Sequence, residues 1–403
     1  MVNSLRLALL WLSICLNLPV ALNSKLMKKI NLIIGLLLWG SVTLVHAQQK
    51  SDKYTPEKLK ASFENIQWQD STVFYEQRMY RNPFIGLYEI QKVAENGQSY
   101  APHFNGFPMG KYQVGENVKY SPLTDAERKD YLKANGFLLH KKYKADFWIQ
   151  PYFAAIFGNF DKPVESNTSV ALQTQLYILP GLTLQTGVLF PIVNDMDGRP
   201  KNIRLAPTFL NQFYNKGNHF LSASLGFFQN DQYGVNVQYR KADLSKPWSF
   251  GLEAGLTGFY YYPKGGIYYE DPDQLLLLAD VSYRFKGPDL TLKLTGGQFL
   301  WADKGARIEF VRQFTNIELG VYATKTQNGS TLGFNFAVPI PPGKIAQGKH
   351  ARLRTTDEFR WEYTYSRGYR IGERYRVGYQ LDQKLRQFHQ DYLNRQHRQL
   401  QAQ

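Results

Sequence analysis

Two acidic runs carry the oxygens that a hard cation needs, Asn194-Asp195-Met196-Asp197-Gly198 and Glu270-Asp271-Pro272-Asp273. Calcium takes several such oxygens at once. Neither run has EF-hand spacing, and both fall in turn-rich stretches where acidic residues are common, so no metal is expected. The seven His are scattered, with no His-x-x-x-His pair. No Ser/His pair, no matched carboxylates and no Gly-rich phosphate loop stand out. The chain is therefore expected to be no enzyme, with no catalytic residue and no cofactor.

What remains is a set of charged residues: Arg204, Arg240, Glu253, Asp280, Arg284, Lys293, Arg307, Glu309 and Glu318. They lie on the polar side of segments that alternate residue by residue. Successive strand side chains point to opposite faces, so each segment has one apolar and one polar or small face. The pattern is clearest at 315–339. There Ile317, Leu319, Val321 and Ala323 alternate with Glu318, Gly320, Tyr322 and Thr324. Gln327-Asn328-Gly329 follows, and then Leu332, Phe334, Phe336 and Val338 alternate with Thr331, Gly333, Asn335 and Ala337. Asn-Gly is a hairpin signal because it supplies positive φ.

Twelve such strands are expected, at about 147–157, 169–178, 181–190, 202–214, 219–229, 233–241, 247–260, 275–286, 289–299, 305–313, 315–325 and 331–339. Many approach the roughly 10 residues that a tilted membrane strand needs. A sandwich would show more Lys and Glu on its polar face. Here Gly, Ser and Thr dominate that face, with opposite charges scattered among them, which suits a crowded wet barrel interior. The turns at Pro180-Gly181, Tyr214–Asn218, Lys241–Lys246, Lys286–Pro288 and Phe314 are short, and the loops at Ile192–Lys201 and Tyr261–Gln274 are long. Outer-membrane barrels have short periplasmic turns and longer external loops.

Composition agrees. Of 403 residues, 27 are Tyr, 26 Phe and 32 Gly, and the mean hydropathy is −0.40. No run of about 18 apolar residues beyond the leader could span a bilayer as a helix. The net charge is +15, from 48 Lys and Arg against 33 Asp and Glu. That favours anionic partners, such as lipid head groups or acidic polysaccharide. Nucleic acid is excluded by the export that the N-terminus implies.

Residues 27–47 read as a secretory signal: Met27-Lys28-Lys29, an apolar middle over Ile30–Leu44, and Val45-His46-Ala47 as the cleavage site. Residues 1–26 form a second leader-like segment, and the expected start is Met27. The one cysteine, Cys15, lies in that leader, so the mature chain is expected to have no disulfide. Ile14 sits where a lipid-anchor motif needs a small residue.

The regions expected are thus a leader at 1–47, a small α+β periplasmic or plug region at 48–145, a barrel at 146–339 and a basic tail at 340–403. In the second region a helix is expected over Lys50–Gln67, a strand over Ser71–Tyr80 and loop over 96–122. The capping box Thr124-Asp125-Ala126-Glu127 should open a short helix ending near Gly136. In the tail, Phe359, Trp361, Tyr363 and Tyr365 alternate with Arg360, Glu362 and Thr364, and Tyr375, Val377 and Tyr379 alternate likewise. These are either strands thirteen and fourteen or a periplasmic sheet, and the second is preferred. Residues 381–400 read as a polar helix. The fold expected is an all-β membrane protein, an antiparallel transmembrane barrel of about 12 strands, or 14 in the alternative.

Two stretches resemble the exopolysaccharide-biosynthesis outer-membrane family called YjbH. One is Tyr75-Glu76-Gln77-Arg78-Met79-Tyr80-Arg81, similar to that family's Glu-Asn-Arg-x-Tyr-Arg segment, with Gln77 in place of the usual Asn. Its shared positions are Glu76, Arg78, Tyr80 and Arg81. The other is the last hairpin, Leu319–Thr324 and Gly333–Phe336 ending at Val338-Pro339-Ile340. The resemblance covers roughly 75–340. It implies an outer-membrane barrel acting with polysaccharide export or capsule-type assembly, possessing no catalytic residue to carry over. Many members have tandem barrel-like halves, whereas this chain reads as a single unit. Two other readings stand beside it. One is a general solute channel. The other is a structural subunit of an envelope secretion machine whose plug and tail bind periplasmic export proteins.

Overall fold

The structure, a computed structural model, describes residues 62–93, 98–137, 139–157, 164–197, 200–263, 265–365, 370–378 and 380–401. The leader, Cys15, most of the helix expected over Lys50–Gln67, and Tyr379 lie outside them. No helix among the described residues is long and apolar enough to cross a membrane.

The N-terminal region is a small sheet with two helices. Its strands are β1 (Phe63–Gln69), β2 (Thr72–Gln77), β3 (Ser99–Phe104), β4 (Phe107–Pro108), β5 (Lys111–Val114) and β6 (Val118–Ser121). Residues 63–67 are thus strand where helix was expected, because Phe63 packs inward against Tyr75 as β1 pairs β2. The expected loop at 96–122 holds four short strands, whose Gly and Asn turns mask buried Tyr112, Val118 and Tyr120. Helix α1 (Pro83–Gln91) starts where a strand end was read. Asn82 caps it by accepting from the Phe84 N–H, and Pro83 fills the first turn. Helix α2 (Asp125–Ala134) opens on the expected capping box, Thr124 with Glu127.

The twelve expected strands all form: β7 (Ala145–Phe157), β8 (Val164–Leu179), β9 (Leu182–Asn194), β10 (Thr208–Lys216), β11 (His219–Phe227), β12 (Gln232–Ala242), β13 (Trp248–Tyr261), β14 (Gln274–Phe285), β15 (Leu290–Gln298), β16 (Lys304–Gln313), β17 (Glu318–Thr326) and β18 (Gly329–Val338). Each pairs antiparallel with the next. In the last hairpin Thr326 faces Gly329, so Gln327 and Asn328 form the turn and Gly329 alone takes the positive φ.

The tail then departs from expectation. After a short hairpin of β19 (Lys344–Gln347) and β20 (Ala351–Thr355), β21 (Phe359–Tyr365) pairs antiparallel with β18 from Val338↔Phe359 to Leu332↔Tyr365. It is a thirteenth wall strand and no part of a separate tail. An odd number of alternating strands leaves the first and last running the same way, and the seam is parallel. β20 pairs parallel with β7 from Ala351↔Ala145 to Thr355↔Ile149. Above it the Phe153 and Trp361 rings lie 5.8 Å apart, and those of Phe157 and Tyr363 lie 5.5 Å apart. The sheet closes there on itself.

The wall is inside out relative to a soluble core. Leu252 is 56% exposed, Val321 59% and Leu332 68%, whereas Asn236, Thr257 and Glu318 are fully buried. The interior is filled by the chain's own ends. Residues 370–378 run along the inner wall without becoming a strand, and Tyr375 and Val377 are buried there. A Cβ on Gly255 would collide with the Tyr375 hydroxyl, so glycine clears the wall for this strap. Two helices follow, α3 (Leu381–Gln387) and α4 (Gln390–Gln401), in place of the single polar helix expected. Buried residues of the N-terminal sheet, of α3 and α4, and Phe213, Phe220 and Leu244 of the wall share one core.

Candidate functional site

All five short turns are met by one of those ends. The Gly181 N–H donates to Asn105 O, and Gln390 N–H to Leu244 O. Asn215 Nδ2 donates to Pro108 O, Arg395 pairs with Asp289, and Asn82 Nδ2 donates to Thr315 O. The N-terminal sheet and the last helices together floor that mouth of the barrel.

The Tyr75–Arg81 segment anchors the floor to the wall. Arg78 donates from Nε and Nη2 to the two Glu64 oxygens, each at 2.6 Å, and lies 3.5 Å from Asp146. Burial works against the Glu64 anion, yet Arg78 and Arg352 hold its carboxyl below the usual range. Glu76 accepts from the Gly106 N–H and from the Tyr143 and Tyr177 hydroxyls. Burial pushes its carboxyl up despite those donors. Gln77, the departure from the family pattern, accepts from the Met79 and Tyr80 N–H groups and fixes the turn. Tyr80 lines the lumen. Arg81 reaches Glu318 at 3.4 Å and Glu358 at 2.9 Å.

From Arg81 a continuous ion chain crosses the barrel. Glu318 also takes Arg360 at 2.7 Å and Arg386 at 3.0 Å. Arg386 pairs with Asp382 at 3.1 Å, and Asp382 with Lys293 at 2.8 Å. Lys293 lies 3.7 Å from Asp280, which takes Arg240 at 2.5 Å. Burial penalises the Asp382 anion, but Lys293 and Arg386 hold its carboxyl well below the usual range. A second cluster joins Arg307 to Glu309 at 3.2 Å and to Glu362 at 2.9 Å. Arg284 pairs with Asp289 at 2.8 Å at the floor, and Glu253 accepts from Asn236.

Of the nine charged candidates, Arg204 alone makes neither ion pair nor hydrogen bond among the described residues. The structure thus brings Arg240, Asp280, Lys293 and Glu318 into one chain and Arg307 and Glu309 into another. Arg284, Glu253 and Arg204 stand apart from both. Sequence reasoning missed Glu64, Asp146, Glu358, Glu362, Asp382 and Arg386, which complete the pairs. Only Glu362 carried a signal, as an inward position of the alternating stretch at 359–365.

Between strap and wall lies a cavity of about 930 Å3, reached by Arg204, Arg374, Trp148, Tyr152 and Tyr260. No trio of His, Cys, Asp or Glu that could hold a metal occurs among the described residues. The acidic runs near 195 and 271 sit in the loops at the far mouth. Chemically, the interior fixes both chain ends by paired charge and leaves one wet, basic space.

The family model described as YjbH, exopolysaccharide biosynthesis protein, matches residues 107–337. No curated protein matches the chain. Among solved structures, OmpT of Vibrio cholerae, an outer membrane protein folded in vitro, is 8% identical at a TM-score of 0.29, over 54% of this chain and 96% of that one. Its loop L8 deletion mutant is likewise 8% identical at 0.29, over 48% and 87%.

Proposed function

The chain belongs to the YjbH exopolysaccharide biosynthesis family, and on that footing we propose that it is a non-enzymatic outer-membrane barrel accessory to exopolysaccharide or capsule secretion or assembly. The observation that carries the envelope role is the inverted wall, apolar outside and charged inside. In water such a wall exposes far more contiguous apolar surface than a soluble protein tolerates, and in lipid that surface is satisfied. A closed sheet, antiparallel except at its one parallel seam, also pairs its backbone groups within the wall, as a bilayer requires. The partners proposed are outer-membrane lipid around the wall, acidic polysaccharide, and periplasmic export proteins at the floor.

The general solute channel is the competing reading, and the plug speaks against a permanently open bore. A deletion strain separates the two. It should lose surface or matrix polysaccharide while small-solute uptake stays normal. Normal polysaccharide with reduced solute permeability would overturn the export reading and promote the channel. Orientation has its own check. Cysteines at Asp197 and Asp271 should react with a membrane-impermeant maleimide on intact cells, and labelling only after outer-membrane rupture would reverse the topology.

A further inference from the structure

The lumen cavity is lopsided in charge. Among the described residues, ten arginines and lysines line it against six aspartates and glutamates, an excess of four positive charges. Most of these cations are committed to partners. Arg307, Arg360 and Arg376 each reach Glu362 or Glu318. Four make no side-chain ion pair or hydrogen bond among the described residues: Lys384, Arg370, Arg204, on the wall opposite Leu189, and Arg374, on the strap. Arg370 lies over the Trp301 ring at 3.9 Å, which leaves Arg204 and Arg374 as the uncommitted guanidinium groups. A partly buried guanidinium without a partner is costly unless water or a ligand supplies acceptors. Its planar fork matches a carboxylate bidentately.

Ring faces and neutral donors share the space. Tyr152, Trp148 and Tyr260 line the cavity, and Gln173 Nε2 donates to the Tyr152 hydroxyl at 2.9 Å. At about 930 Å3 the space lies near the top of the range that holds small ligands, about 300–1,000 Å3. A pyranose offers apolar C–H faces to aromatic rings and hydroxyls to amides, and a uronic acid adds a carboxylate.

We propose that this cavity is a binding site for carboxylated sugars, with Arg204 and Arg374 each offering a guanidinium to a carboxylate along the bound chain. The proposal rests on the polysaccharide reading above and names the class of chain that the barrel handles. Lipid head groups are an unsuitable source, because both arginines point inside the wall, away from the apolar face.

The test uses the full chain in detergent micelles. Binding of oligogalacturonate, a neutral maltooligosaccharide and poly-glutamate of matched charge is followed by tryptophan fluorescence. Oligogalacturonate should bind at least tenfold more tightly than either of the others, and more weakly as salt rises. Arg204→Gln with Arg374→Gln should lose at least tenfold for oligogalacturonate and leave maltooligosaccharide unchanged. Arg204→Lys with Arg374→Lys should retain part of the binding, and circular dichroism checks that each variant is folded. Equal binding of all three probes, or an unchanged double Gln variant, overturns the assignment. The same double Gln variant is also returned to the deletion strain. If the deletion loses polysaccharide and the variant restores it fully, the site is wrong and the export role stands. If the deletion never loses polysaccharide, the export role fails, whatever the binding shows.

Discussion

Arg81 and Glu318 meet inside the barrel 3.4 Å apart with both side chains sealed from solvent. The same Glu318 carboxylate takes Arg360 of the closing strand and Arg386 of α3. One anion thus ties the N-terminal sheet, the wall and the last helices together. Removing one partner of a buried pair leaves uncompensated charge and costs about 3–5 kcal/mol. Glu318→Ala should lose on that order, and Glu318→Gln, which keeps an acceptor, should lose less. Urea unfolding in micelles measures both, and an unchanged midpoint for Glu318→Ala would remove it as the hub.

The wall's facing gives a second expectation. Leu252 points outward, and neighbouring Glu253 accepts from Asn236 within. Leu252→Arg should cost about 2–4 kcal/mol near the bilayer midplane. Glu253→Gln keeps an acceptor and should cost about 1 kcal/mol or less. Equal costs in a refolding assay with lipid vesicles would contradict the facing.

Two buried histidines predict acid sensitivity. Burial, with Lys142 nearby, pushes the His103 imidazole down to about 3. Burial, with Arg284 nearby, pushes His389 down to about 3. Unfolded, each titrates near 6.5. Between those values the unfolded chain binds the extra proton, so stability is whole above about pH 6.5 and falls as pH drops. The slope is about 1.4 kcal/mol per pH unit for each histidine. Unfolding midpoints at pH 7.5, 6 and 5 should decline in the parent and decline less in His103→Gln and His389→Gln. Parallel declines in all three proteins would assign the sensitivity to other groups.

The strap and last helices predict a conductance change. Deleting residues 371–403 removes Asp382, the nearer partner of Lys293, and Arg386, one of those of Glu318. It should raise single-channel conductance in planar bilayers well above that of the full chain. Equal conductance would mean that the N-terminal sheet alone sets the seal.

The wall was readable because its signal is local. Alternation at Phe250-Gly251-Leu252-Glu253 states which side chain faces outward, and a turn such as Pro180-Gly181 states where a strand ends. The plug was not readable, because its signal is long-range. Asp382 reads as one acid in a polar helix until Lys293 is placed against it, 89 residues away. The strand at 359–365 showed its alternation plainly. The sequence places it in a separate periplasmic sheet because a 14-strand barrel needs a long inner loop at 340–357, and that stretch instead holds the hairpin of β19 and β20. The parallel seam between β20 and β7 removes the need for a fourteenth strand, and nothing in the local pattern announces it.

The floor also sets an order of events. The Tyr112 hydroxyl donates to Phe388 O at 2.5 Å, and Asn394 bonds the Val118 backbone, each across 276 residues. Contacts so distant in sequence form late, because the intervening loop entropy must first be offset by nearer pairings. A chain delivered N-terminus first therefore holds its small sheet unsealed while thirteen strands register and the ring shuts. Closing of the ring and sealing of its floor are separate steps in time, and between them the bore stands open.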